Sequence, residues 1–260
     1  MNWIEALILG IVQGLTEFLP VSSSGHLEIG KHLLGTDPEM SLTFTVVVHG
    51  ATVLSTIVVF RNDLYRLLVD FFRFRWNEST QYISKLVLSM IPVVVLGLLF
   101  KEEIEQFFTG NLIFVGSMLL VTALLLIFSH YFHARQQKIT FIRALIIGFS
   151  QALAVLPGIS RSGATISTGL MLGGKREAVT RFSFLMVLLP IIGANAKDLL
   201  DHTSAPDPSI QAIPLIVGFL GAFVSGLVAC TWMIRIVNRG RLIYFAFYCI
   251  FIGLAAILLG

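Results

Sequence analysis

The chain has 260 residues, of which 56% are hydrophobic and 13% charged, with a net charge of +3. A soluble domain carries about 25% charged residues. With a mean hydropathy of +0.87, these proportions exclude disordered, fibrous and disulfide-scaffold chains and argue strongly against a cytosolic enzyme. They point to an all-α polytopic membrane protein, because long unbroken apolar runs replace the alternation of a transmembrane barrel. The basic residues sit in short loops, so the pI near 9.0 does not suggest nucleic-acid binding.

A spanning helix needs about 20 mostly apolar residues. The chain opens on an apolar region, 2–34, interrupted by Pro20-Val21-Ser22-Ser23-Ser24-Gly25. Spans are predicted next over 42–60, 82–100 and 111–129. A second interrupted region, 140–172, breaks at Pro157-Gly158-Ile159-Ser160-Arg161-Ser162-Gly163. Spans over 182–200, 210–234 and 241–259 complete the pattern of six transmembrane helices. The short second halves of the interrupted regions, 25–34 and 163–172, would rise only ~15 Å as helices. Both regions therefore read as re-entrant hairpins whose tips lie deep in the membrane, where non-helical backbone needs protein or water around it. Cys230 and Cys249 fall in apolar runs and read as buried thiols, not as a disulfide or a metal site. Residues 1–20 lack a basic n-region, so no cleavable signal is expected.

Lys and Arg set the orientation. Thirteen lie on one side, within 61–75, 135–143, 175–181 and 235–241, against Lys31, Lys101 and Lys197 on the other. The richer side is expected to be cytoplasmic, with both termini outside. The chain also repeats itself. Glu5 to Gln13 aligns with Arg143 to Gln151 at an offset of 138, and the register returns at Ser22/Ser160, Ser24/Ser162 and Gly25/Gly163. A single membrane domain, 1–260, is expected, built from inverted repeats of about 1–137 and 138–260. Each half has three spans, an odd number, so the second half must be inverted. Sites in such architectures lie between the repeats, near the midplane.

Helix N-termini offer unpaired N–H groups and a partial positive charge, which suits phosphate. Both short half-helices follow a Ser/Gly-rich break. Arg161, inside an apolar region, needs an anionic partner, either Glu17 or a ligand phosphate. Glu17 can hold Mg²⁺ or Ca²⁺, or orient a base. Gln13, one helical turn earlier, can supply a neutral oxygen ligand. Gln151 matches it in the second hairpin, but no acid matches Glu17. His26 can act as acid, base or nucleophile in phosphoryl transfer. Ser22, Ser23 and Ser24 offer nucleophiles or N-caps. Glu5 reads as a solvated helix start. His32, His130, His133 and His202 read as solvated loop residues, and His49, within a span, is left open between structure and function.

Three segments carry a resemblance: Gln13-Gly-Leu-Thr-Glu17, Pro20-Val-Ser-Ser-Ser-Gly-His26 and Pro157-Gly-Ile-Ser-Arg-Ser-Gly-Ala-Thr165. Together they closely resemble the BacA-type undecaprenyl pyrophosphate phosphatases, over essentially the whole chain. The resemblance implies hydrolysis of undecaprenyl pyrophosphate to undecaprenyl phosphate and inorganic phosphate. It also implies recycling of the carrier for peptidoglycan synthesis, a link to bacitracin resistance, and a divalent cation, Mg²⁺ or Ca²⁺. By resemblance the catalytic residues are Glu17, Ser23, His26 and Arg161. The expected substrate contacts are Ser22, Ser24, Gly25, Ser160, Ser162 and Thr165, and the metal ligands Glu17 and Gln13. Position 13 is Glu in some members, which leaves Glu17 the sole acid of this motif here. The expected location is the bacterial inner membrane, with the site open to the outer face. The expected partners are the lipid substrate and membrane lipids, with a homodimer allowed and no nucleic acid. A transporter or flippase of the same lipid phosphate is the rival reading, separated by whether phosphate is released.

Overall fold

The computed structural model describes residues 1–34, 38–100, 103–104, 106–108, 110–132, 136–202 and 212–260; side chains at 34, 38–42, 108 and 197–202 are excepted. The expectations for Lys101, His133 and Arg135 lie outside these residues, as do those for the side chains of Lys197 and His202. The described chain is helical, with one isolated bridge between Gln137 and Gly174.

Helix α1, Trp3–Phe18, starts at an Asn2 capping box in which Glu5 takes part. A capping box satisfies two orphan N–H groups at once. The helix stops because Pro20 disfavours helical backbone at the residue before it: Leu19 is extended, with ψ 145°. Ser22 then takes a left-handed φ of 68°, and α2 runs Ser23–Leu34. The second hairpin repeats this plan. Helix α7, Phe141–Leu153, starts at a Thr140 cap, Gly158 sits at φ 98°, and α8 runs Arg161–Met171 from a Ser160 cap. Both breaks are two residues shorter than expected. Ser23, Ser24 and Arg161 lie in first helical turns, because serines that favour caps also fit the turn that follows.

Between the hairpins lie α3 (Pro38–Val59), α4 (Arg61–Phe71), α5 (Glu78–Leu99) and α6 (Leu112–Tyr131). After them come α9 (Arg176–Met186), α10 (Leu188–His202), α11 (Ala212–Asn238) and α12 (Ile243–Leu259). Among the described residues four helices are long and apolar enough to cross a membrane: α5, α6, α11 and residues Arg176–Ala196 of α9–α10. The last begins six residues before the expected 182. The α3–α4 pair makes a fifth if taken as one span, but it bends by 76°. Helix α12 is apolar and 17 residues long. The segment after 61, expected as a loop, is helical because Leu64, Leu67 and Leu68 alternate with Asp63, Arg66 and Asp70 at helical spacing.

Apolar surface faces outward and polar groups face inward. Val94, Leu98, Val224, Val228, Phe247 and Phe251 are exposed, whereas Gln13, Thr52, Ser55, Thr122 and Gln151 are buried. Exposed apolar patches on this scale mark contact with lipid. The helices cross at glycines. A Cβ at Gly10 of α1 would collide with the Gly218 carbonyl of α11, and one at Gly148 of α7 with the Ser89 carbonyl of α5. Gly10 and Gly148 are the matched glycines of the sequence repeat. The basic segments gather at one end. Arg181 pairs with Asp63 at 3.2 Å, Lys138 with Glu78 at 3.5 Å, and Arg143 bonds Gln137.

Candidate active site

The two breaks meet. A Cβ built on Gly25 would lie 3.1 Å from Gly158 Cα, and one on Gly163 would lie 3.4 Å from Pro20 Cβ. The hydroxyl of Ser162 donates to the Leu19 carbonyl at 3.1 Å. Thr122 of α6 fastens the second break from outside: its Oγ1 donates to Gly158 O and accepts from Ser160 N, both at 3.0 Å.

Glu17 closes α1 beside this junction. Its Oε2 accepts from Ser23 Oγ at 2.6 Å and from Gln13 Nε2 at 3.0 Å, and its Oε1 accepts from Arg161 NH2 at 2.8 Å. His49 Nε2 stands 3.8 Å from Oε2. A carboxylate taken out of water needs such donors, because burying it unpaired costs several kcal/mol or more. The Glu17 side chain is 8% exposed and that of Arg161 28%. Of the two partners sequence offered for Arg161, the structure supplies Glu17. The guanidinium engages it through one nitrogen, and no other side-chain partner of Arg161 occurs among the described residues.

The serines divide their work. Ser22 Oγ accepts from Gly25 N at 3.3 Å and lies 3.3 Å from Ser24 Oγ, while Ser160 Oγ accepts from Gly163 N at 3.0 Å. Ser22 and Ser160 are thus engaged with helix starts, and Ser23 alone reaches Glu17. Thr165 turns its hydroxyl back to the Arg161 carbonyl at 2.8 Å. His26 stands apart from the Glu17 cluster. Its Nδ1 is 2.8 Å from Ser22 O and its Nε2 is 2.8 Å from the Tyr248 hydroxyl.

A cavity of about 20 Å³ borders the Glu17–Arg161 pair, lined also by Thr52, Thr56, Gln151, Thr165 and Ser183. That is room for a water molecule. Both amide atoms of Gln151 and Ser183 Oγ are buried and find no partner among the described residues.

A divalent cation beside Glu17 would meet a sparse set of protein oxygens. Gln13 Oε1 is buried beside the carboxylate and finds no partner among the described residues. Among the described residues no three His, Cys, Asp or Glu side chains converge. One carboxylate and one amide oxygen do not make a closed cage. They do fit a hard cation that takes its remaining oxygens from a phosphate ligand and water.

The family model of the bacitracin resistance protein BacA matches residues 6–255. The chain belongs to this family. Three similar members are named undecaprenyl-diphosphatase. One, from Christiangramia forsetii, is 54% identical over 263 residues, covering 99% of this chain and 98% of its own. Another, from Bacteroides thetaiotaomicron, is 51% identical over 261 residues and 99% of each chain. A more distant BacA member, undecaprenyl-diphosphatase 1 of Bacillus cereus, is 36% identical over 263 residues, covering 98% of this chain and 97% of its own.

Several site features were not legible in sequence. Tyr248 and Thr122 lie in apolar spans, where a Tyr reads as an interfacial aromatic and a Thr as packing. Their partners are 222 and 36 residues away. Cys249 has a polar neighbour after all, Pro20 O at 3.7 Å, and both cysteines are free and buried. His32 and His130 lie at helix C-termini, not in loops.

Proposed function

We propose that this BacA-family protein hydrolyses undecaprenyl pyrophosphate to undecaprenyl phosphate and inorganic phosphate, recycling the carrier lipid of cell-wall synthesis. The pyrophosphate would sit between the two breaks and the prenyl tail among the lipid-facing helices. The observation that carries this reading is the Arg161–Glu17 contact at 2.8 Å, which brings the motifs of both halves to one place. Guanidinium grips phosphate in a fork, and Arg161 has donors to spare.

Ser23 is the nucleophile in this reading. Its Oγ already donates to Glu17 at 2.6 Å, the reach expected of a nucleophile and its base. Ser23 Oγ bonds to the terminal phosphorus, its proton passes to Glu17, and the bridging P–O bond breaks to release undecaprenyl phosphate. Water then attacks the phosphoserine phosphorus with His26 Nε2 accepting its proton, the P–Oγ bond breaks, Glu17 returns its proton to Ser23 Oγ, and inorganic phosphate leaves. Arg161 neutralises charge on the transferring phosphoryl group, and contributions of this kind are often the largest in catalysis. Glu17 and Gln13 would hold Mg²⁺ or Ca²⁺, which supplies further charge neutralisation on the phosphate oxygens.

The architecture in this reading is six spans and two re-entrant hairpins in an inverted repeat, within the bacterial inner membrane. The glycine crossings at Gly10 and Gly148 and the gathering of basic segments at one end support it. Both termini and the substrate entrance then face outward. Phosphate release by the purified protein from farnesyl and undecaprenyl pyrophosphates tests the function, with and without EDTA. EDTA-sensitive release is expected. Lipid movement across vesicles without release would replace the hydrolase by a transporter.

A further inference from the structure

His26 presents two distinct nitrogens. Nδ1 lies 2.8 Å from Ser22 O, and a carbonyl oxygen can only accept, so Nδ1 carries the proton. That carbonyl also receives the backbone N–H of His26, at 3.1 Å, and it belongs to the left-handed residue of the first break. The ring is therefore referenced to the break itself. In the neutral ring Nε2 holds the lone pair, and the Tyr248 hydroxyl, 2.8 Å away, donates to it. The two rings lie nearly parallel, at 7°, with centroids 5.6 Å apart. Helix α12 is tied to the same break one residue later, through Cys249 Sγ and Pro20 O at 3.7 Å.

We propose that Tyr248 is the positioning residue of His26: the Ser22 carbonyl makes Nε2 the reactive nitrogen, and Tyr248 holds it aimed until a substrate oxygen takes its place. This rests on reading His26 as the acid–base of the reaction. A tyrosine hydroxyl suits the task because it both donates and accepts. It donates to Nε2 while the ring is neutral. Once Nε2 has taken a proton, the same hydroxyl accepts from it. Both protonation states of His26 thus keep a partner outside water. Phenylalanine at 248 keeps the ring contact and removes this exchange.

The test compares wild type, Tyr248→Phe, His26→Ala and the double variant in detergent, reading phosphate release from farnesyl pyrophosphate. Tyr248→Phe is expected to lower kcat about tenfold, the scale of one lost orienting hydrogen bond, with KM within twofold. Combined with His26→Ala it should cost nothing further, because two residues acting as one unit are not additive. Wild-type kcat in Tyr248→Phe beside a normal His26→Ala defect overturns the role of Tyr248 and leaves that of His26 intact. The same fractional loss in both backgrounds also overturns it, as the mark of a structural residue. Wild-type turnover in His26→Ala removes the acid–base role of His26, and that of Tyr248 with it. Tyr248→Phe keeps the side chain's volume, and an unchanged melting temperature confirms that its kcat belongs to folded enzyme.

Discussion

Arg161 NH2 and Glu17 Oε1 lie 2.8 Å apart across 144 residues of sequence, joining the N-terminus of α8 to the C-terminus of α1. The two half-sites are thereby complementary: the carboxylate comes from one half and the guanidinium from the other. Each charge answers for the other's burial, and each carries unspent capacity toward a phosphate or a cation.

Arg161→Lys should keep the charge and lose the fork. Turnover is expected to fall at least ~10²-fold with little change in melting temperature. Arg161→Ala should be worse in turnover and also less stable, since it strands a buried carboxylate at a cost of about 3–5 kcal/mol. Arg161→Met combined with Glu17→Leu should recover the melting temperature without recovering turnover. Melts in detergent beside phosphate release check all three. A double variant that stays unstable contradicts the burial argument.

Glu17→Gln keeps shape and removes charge. Turnover should fall at least ~10²-fold even in saturating Mg²⁺ or Ca²⁺. Gln13→Glu adds a second carboxylate 3.0 Å from the first. The concentration of free Mg²⁺ giving half-maximal turnover should then drop, while Gln13→Leu should raise it. Titration of metal into chelator-treated enzyme reads both. An unchanged metal dependence in both Gln13 variants would take residue 13 out of the ligand set.

Gly10→Ala and Gly148→Ala both drive a methyl into a backbone carbonyl. Overpacking of this kind costs about 1–3 kcal/mol, or several degrees of melting temperature at roughly 2–4 °C per kcal/mol. Gly97→Ala is the control, because a Cβ there meets nothing within 4 Å. It should hold or slightly raise the melting temperature, since Ala is the better helix former.

A cysteine placed at residue 2 or 260 should react with an impermeant thiol reagent applied from outside, and one at 77 should not. Cys230 and Cys249 are buried and give little background. The reverse pattern inverts the molecule and moves the substrate entrance to the cytoplasmic face.

Sequence carried the two helix breaks because Pro20 stops α1 by local sterics and Pro157-Gly158 falls in the turn after α7, with Ser and Gly beside both. It misplaced where the next helices begin, since a serine that caps and a serine in the first turn look alike without coordinates. It took 61–81 for a loop because an amphipathic helix lying off the bundle axis is as charged as a loop. Glu17 and Arg161 were legible as an acid and a cation out of place in lipid, whereas Ser23 stood out from its two neighbouring serines only through the family resemblance. The pairing of His26 with Tyr248 was not, because nothing local joins two residues 222 positions apart.

The seam between α1 and α11 gives a helix without chemistry a part in the reaction. Gly10 meets the Gly218 carbonyl, and Gly14, three residues before Glu17, meets that of Ala222. Helix α11 thus acts as a gauge for the depth of α1. A slip of one residue along the seam would shift Glu17 by about 1.5 Å and swing it by roughly a quarter turn. A misplacement of ~1 Å far from the chemistry can cost ~10²-fold in rate. Bulkier side chains at 218 or 222 should therefore look like active-site lesions in a folded, membrane-inserted protein, although neither position touches the acid, the serine or the arginine.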